Sequence, residues 1–556
     1  MAQHNHEHHR SEKRSVRLRQ KRKRRRRKNG GWKTALLLTL ALLLAACDRD
    51  PQALPPQEGM DVHSYEVFLN VDPGAQVVRG LSRIVVGEAS GHDTLRVRFD
   101  DERAVRSVQV DGSEVGVTYQ AGHLYVPFPR GSSFIDVEYL LEGPQDGLFY
   151  EDAEGQAVVF TDSQFLRGAS WLPAVHHPAD PATLILEVTA PDTFEVVASG
   201  RSWPASPVSV SDHEQRWTFE LDAAVPVYTF AFAVGAFATT EQSVTLPSGA
   251  TVPIRHHLLG ADTTDARWLV RTPETLAYFD ATLGPYAFDT YATAQVPIPF
   301  AGMENAATSF LRHDLYGETY RSHNVIRNIV EEVNVHEVAH MWFGNRVTIR
   351  DYADLWLSEG IVSYLTTMFY EAADGPDMAR ELRVRMADFA SSNDLYDARQ
   401  PLVLDTVEDP MDLVGRTVYL KGGCVTHLLR LTLGDDAFVR ALRRTYAEYG
   451  LDQRPLSTVA FQTLLEDEAE RDLDAFFDYW VYGTQIPTLR TGWDNTTGLL
   501  TWTVEDDAGL LDGLATELQI LQEGATQAVA LADGQVTLTG ERPPTIRPVG
   551  VPMRIR

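Results

Sequence analysis

Between residues 61 and 245, apolar and polar positions alternate in short runs separated by turn residues: "HSYEVFLNV", "SRIVVGE", "TLRVRFD", "FIDVEYLLEG", "TLILEVTA" and "QRWTFELD". A period of two puts one set of side chains on each face of a strand. Many short strands at this spacing predict an antiparallel β-sandwich. Near residue 265 the period becomes helical, opening with "TDARWLVRTPETLAYFDATLG". It predicts helices over 322–344, 354–373, 416–433, 436–449, 456–469 and 472–482, several ending at Gly. After "YGTQIPTL" the alternation returns in "GLLTWTVED", "TELQILQ" and "QAVALAD". The pattern therefore predicts a multidomain α+β chain: a β-sandwich over 61–245, a mainly helical domain over 246–485 and a small C-terminal β module over 486–556. No internal repeat is visible.

The N-terminus follows another logic. Residues 13–28, "KRSVRLRQKRKRRRRK", are basic, and 34–46, "TALLLTLALLLAA", are apolar and uncharged up to Cys47. A basic stretch, a short apolar stretch and small residues at its end describe an export signal. The apolar run is short of the roughly 20 residues needed to span a bilayer. "LAAC" (44–47) is similar to a bacterial lipobox, which implies cleavage before Cys47 and a lipid on that cysteine. The alternative is an ordinary signal whose cleavage site contains Cys. Residues 48–60, "DRDPQALPPQEGM", are polar and Pro-rich and read as a tether. The expected location is the bacterial cell envelope, exported and lipid-anchored.

Charge excludes one class of partner. Residues 1–47 hold 14 Lys/Arg and two Asp/Glu, so the rest of the chain carries a net charge of about −39. A surface this acidic repels nucleic acid. With Cys47 lipidated, Cys424 has no partner for an intrachain disulfide, and the fold depends on its core. Oligomeric state is not legible in the sequence.

"HEVAH" (336–340) is the first chemical signal. On a helix His336 and His340 lie one turn apart on one face, so both imidazoles reach a single ion. Glu337 is adjacent. With eighteen residues intervening after His340, "LWLSEG" supplies Glu359 amid Leu355, Trp356, Leu357 and Ile361, where an unpaired carboxylate would be costly. Two His and one Glu complete the donor set of a catalytic zinc with one position open for water.

This spacing, with "MWFGN" after it, "AGMENAATSF" (301–310) before it and "VYLKGG" beyond it, resembles the aminopeptidase N family of zinc peptidases over roughly 61–556. The resemblance implies a thermolysin-like catalytic domain, one zinc per chain and peptide substrates with a free N-terminus. His336, His340 and Glu359 then match the zinc ligands, and Glu337 the general base that takes a proton from the metal's water. Glu304 matches the anchor for the substrate's α-amine. Gly302 and Met303 belong to the edge strand that lines the cleft, and Tyr419 matches the donor to the oxyanion. Gln164 in "TDSQFLRGASWLP" (161–173) is a candidate second amine ligand, although the spacing is two residues short.

Three features depart from or add to that pattern. Ala301 stands where the family usually has Gly. The family's large C-terminal helical domain has no counterpart, which implies a more open cleft. Lys421 is the only lysine after Lys33. It is either a compact ammonium with a carboxylate or carbonyl partner that Arg cannot replace, or a surface residue that escaped a drift towards Arg. The glycine pair after it, Gly422 and Gly423, suits close helix packing. Rival readings are a zinc endopeptidase of thermolysin type, which needs no amine anchor, a non-catalytic lipoprotein on a peptidase fold, and an epoxide hydrolase.

Overall fold

The computed structural model describes residue 57 and residues 59–556, apart from 90–92, 154, 205, 323–324, 392–399, 405–406, 408, 416 and 507. The export signal, Cys47 and most of the tether lie outside the described residues. Among the described residues no helix is long and apolar enough to cross a membrane.

Met60–Asp72 and Val77–Ala89 form a long antiparallel hairpin, to which Phe134–Glu142 adds. On the other side Ala182–Pro191 and then Glu214–Val225 continue a nine-stranded sheet. Alternation drives this arrangement: every second residue of Ala182–Pro191 is buried, starting from Ala182. One pairing departs from the expected antiparallel pattern. Ala182–Pro191 runs parallel to Met60–Asp72, and the long intervening segment provides the crossover that a parallel pair requires. A four-stranded and a three-stranded sheet complete the N-terminal β region, with Trp171 edge-on to Phe232 at 5.3 Å between ring centres.

Phe237–Thr245, within the span read as sandwich, pairs with Thr251–Leu259 and opens a five-stranded sheet. That sheet continues through Tyr291–Val296 and Thr308–Arg312 to the edge strand Gly302–Met303. Among the described residues eight α-helices follow or interleave: α1 (Thr272–Leu283), α2 (Ile329–His340), α3 (Trp356–Asp374), α4 (Pro376–Ser391), α5 (Gly422–Leu433), α6 (Asp435–Thr445), α7 (Thr458–Ala469) and α8 (Asp474–Trp480).

Two helix expectations change. The one predicted over 322–344 begins only at Ile329, because Thr319–Ser322 and Val325–Asn328 form a hairpin of β-branched and polar residues. Asn328 then caps the helix, its side chain accepting from the Glu331 N–H. Helix α4 was not among the predicted helices; it buries Met378, Leu382 and Met386, four residues apart on one face. Helix α3 is the centre of the catalytic part: Trp356 to Met368 is buried apart from Ser363, and it packs on α2, α4 and α5. The C-terminal strands form a four-stranded and a three-stranded sheet. They are tied to α4 through Arg547–Asp388 and through Arg380–Glu517 at 2.9 Å.

Candidate active site

Helix α2 delivers the two histidines. Their Nε2 atoms lie 3.1 Å apart. Helix α3 brings Glu359 up from the other side, with Oε2 at 3.5 Å from His336 Nε2 and 3.3 Å from His340 Nε2. The Nδ1 of His340 is 3.0 Å from the Phe343 carbonyl, to which it donates, and in the neutral ring this turns the Nε2 lone pair toward Glu359. The ring of His336 lies nearly parallel to that of Tyr419, 6.2 Å between centres.

Electrostatics mark this cluster as short of positive charge. Burial pushes the Glu304 carboxyl up to about 7, with His340 opposing the shift. Burial likewise lifts Glu337 well above the usual carboxylate range. Burial would raise Glu359 too, but the His340 and His336 imidazoles outweigh it and hold that group at about 2. Burial alone would lower His340, yet the Glu359 and Glu304 carboxylates raise it to about 10. Burial opposes the charged forms of Glu304 and Glu337, and a dication bound beside them would favour those forms.

The donor set fits zinc on geometry as well. One atom each of His336, His340 and Glu359 lies within 4.8 Å of the others. Glu359 Oε2 is buried without a hydrogen-bond partner, 3.5 and 3.3 Å from the His336 and His340 Nε2 atoms. Two nitrogens and one carboxylate oxygen are the ligands of an open tetrahedral zinc site, and a bound cation would replace the proton on His340.

The edge strand closes one wall. A Cβ on Gly302 would lie 2.2 Å from Glu337 Oε1, so only glycine permits this approach of strand and carboxylate. Glu304 is 5% exposed, and its carboxylate comes within 4.8 Å of the Glu337 and His340 ligand atoms. The Asn345 side chain donates to the Glu304 carbonyl at 3.0 Å and holds the strand end in place. Gln164 reaches the same cavity from the β region, its buried Oε1 free of any hydrogen-bond partner. The whole encloses about 390 Å³.

Of the nine candidate site residues, eight line this one cavity: Gln164, Gly302, Glu304, His336, Glu337, His340, Glu359 and Tyr419. Met303 does not. Alternation along the edge strand turns its side chain into the core with Val296 and Phe310. Sequence reasoning missed Asn345, the Phe343 carbonyl and the Glu332–Arg385 ion pair at the cavity wall. A signal for Glu332 existed, because it stands four residues before His336 on the same helix face. Arg385 was missed along with its helix.

Two histidines one turn apart, a glutamate on the next helix and a carboxylate beside an edge strand make a site of the HExxH metallopeptidase class. Residues 269–480 match the Peptidase family M1 domain. The chain is 27% identical over 357 residues to Aminopeptidase B of Rattus norvegicus, covering 61% of this chain and 50% of that protein. To Aminopeptidase N of Streptomyces lividans it is 26% identical over 504 residues, covering 87% and 55%. The chain thus spans about half the length of these curated relatives. An M1 zinc metallopeptidase structure from Deinococcus radiodurans matches with a TM-score of 0.66 at 24% identity, over 79% of this chain and 97% of that one. Aminopeptidase A of Legionella pneumophila matches with a TM-score of 0.70 at 17% identity, over 90% of this chain and 60% of that one. These structural likenesses are of fold.

Proposed function

We propose that the protein is a zinc-dependent aminopeptidase that removes the N-terminal residue of peptides. The observation that carries this reading is the place of Glu304. It puts a buried carboxylate within 4.8 Å of the Glu337 and His340 ligand atoms. An α-ammonium held there sits one residue's backbone away from the reacting carbonyl, so a chain end fits and a chain interior does not.

His336, His340 and Glu359 would hold zinc, which would supply the Lewis acidity for acidifying water and polarising the scissile carbonyl. The remaining work falls to side chains. Glu337 takes the proton of the attacking water as its oxygen bonds to the carbonyl carbon. It returns the proton to the leaving nitrogen as the C–N bond breaks. Burial, with the Glu359 and Glu304 carboxylates, holds the Tyr419 phenol well above its ordinary pKa, so it stays protonated and donates to the developing oxyanion. Glu304 and Gln164 hold the ammonium, while the backbone at Gly302 lies along the bound peptide in the manner of an added strand.

The test compares aminoacyl amides with free and with blocked N-termini on zinc-loaded protein. The expected result is cleavage of the free-amine substrate alone. Cleavage of blocked substrates or of internal bonds would make the protein an endopeptidase of thermolysin type, and no cleavage of either would make it a non-catalytic scaffold.

The same reading places the enzyme at the bacterial envelope, lipid-anchored through Cys47, on the strength of the basic run, the apolar run and "LAAC". Expressed in a bacterial host, the full chain is expected to take up radiolabelled fatty acid and Cys47→Ser to lose the label. Equal labelling of the two would overturn the anchor.

A further inference from the structure

Lys421 closes a short π-helical turn, Thr417–Lys421, that carries Tyr419 and runs straight into α5. Two contacts hold this turn from opposite sides. On one side Gly422 meets Gly360, the residue after Glu359: a Cβ on Gly422 would lie 2.9 Å from the Gly360 Cα, and one on Gly360 would lie 2.8 Å from the Gly422 Cα. On the other side Lys421, 3% exposed, donates from Nζ to the Gly483 carbonyl at 2.9 Å and to the Gln400 carbonyl at 3.3 Å. The two acceptors are 62 and 21 residues away in sequence but share one place, because the Leu402 N–H donates to the Val481 carbonyl at 2.8 Å. Among the described residues no carboxylate pairs with the ammonium.

We infer that Lys421 is the positioning residue for Tyr419: its ammonium ties the turn to two neighbouring loops, while the glycine contact ties it to the helix that carries Glu359. The residue type follows from the geometry. Two carbonyls from separate loops converge on one buried point, which suits a compact ammonium with three rotatable donors. A planar guanidinium is wider and needs a fork of acceptors. Burial lowers the amine to about 8, so it remains mostly protonated, and a donor, at neutral pH. A single π turn at the start of a helix is rare and recurs at functional sites, and here it holds both Tyr419 and Lys421.

The inference rests on the proposed role of Tyr419, and the experiment separates the two. Turnover of an aminoacyl anilide is measured for wild type, Tyr419→Phe, Lys421→Met and the double variant, all well below their melting temperatures, with kcat and KM read separately. Lys421→Met keeps the stem and removes the donors. It is expected to lower kcat at least tenfold with KM within threefold, and to cost less than threefold more once Tyr419 is Phe. Should Lys421→Met not fold, Lys421→Arg takes its place in the same cycle with the same expectation. Wild-type kcat in the lysine variant, or losses that multiply in the double variant, would overturn the inference and leave Lys421 a structural clamp. Wild-type kcat in Tyr419→Phe would instead overturn the role given to Tyr419.

Discussion

Helix α2 and the turn Thr417–Lys421 deliver groups to the same cavity by opposite means. In α2 the regular rise and rotation of the helix place His336 and His340 on one face, and hydrogen bonds within the segment hold them there. The π turn departs from α-helical spacing, and its end is tied by the Gly422–Gly360 contact and the Lys421 hydrogen bonds, all to distant segments. The first arrangement is local and tolerant of change around it. The second depends on other parts of the chain, so substitutions far from Tyr419 in sequence should disturb it.

The largest expected effect tests the helix. Glu337→Gln preserves shape and removes the base, so kcat should fall by on the order of 10³, while metal analysis still finds one zinc per chain. Loss of zinc in this variant would mean that Glu337 supports the metal rather than the proton transfer. Next comes Tyr419→Phe, which removes one donor to the oxyanion and should cost roughly a hundredfold in kcat. A change confined to KM would place Tyr419 in binding alone.

Gly422→Ala probes the remote tie. Its Cβ would meet backbone at 2.9 Å, which no rotamer can relieve. Overpacking of this kind costs about 1–3 kcal/mol, read as a lowered denaturation midpoint, and turnover should fall with it. Full turnover in a destabilised Gly422→Ala protein would separate the turn's position from catalysis. The smallest effect belongs to the helix again. Asn328→Ala removes the cap of α2 and should cost about 1 kcal/mol of stability, with kcat and KM close to wild type. A large loss of turnover would show that α2 is less self-sufficient than its hydrogen bonding indicates.

Legibility follows the same division. The β alternation and the spacing His336–His340–Glu359 could be read directly, since strand and helix periodicity are properties of neighbouring residues. The start of α2 was misread by seven residues, because "NVIRN" is compatible with helix or strand until its pairing with Thr319–Ser322 decides. Met303 was assigned to the cleft as part of a motif, and only its alternation against Gly302 and Glu304 shows that its side chain enters the core. Arg385 was missed because α4 is polar on average despite its buried face, and its pairing with Glu332 brings together residues 53 positions apart.

What the sequence by itself determined is therefore the order of β region, helical domain and β module, together with the identity of the HEVAH donors and of Glu304. The order and the HEVAH donors rest on residue type and short-range periodicity, and Glu304 on the resemblance carried by "AGMENAATSF". Only the tertiary structure decided that Gln164 reaches the Glu304 cavity, that a parallel pair joins the first and later strands of the sandwich, and that Lys421 is buried on two backbone carbonyls. The physical reason is that these are meetings of distant segments. Their geometry is set by how strands and helices pack against one another, which no local run of residues encodes.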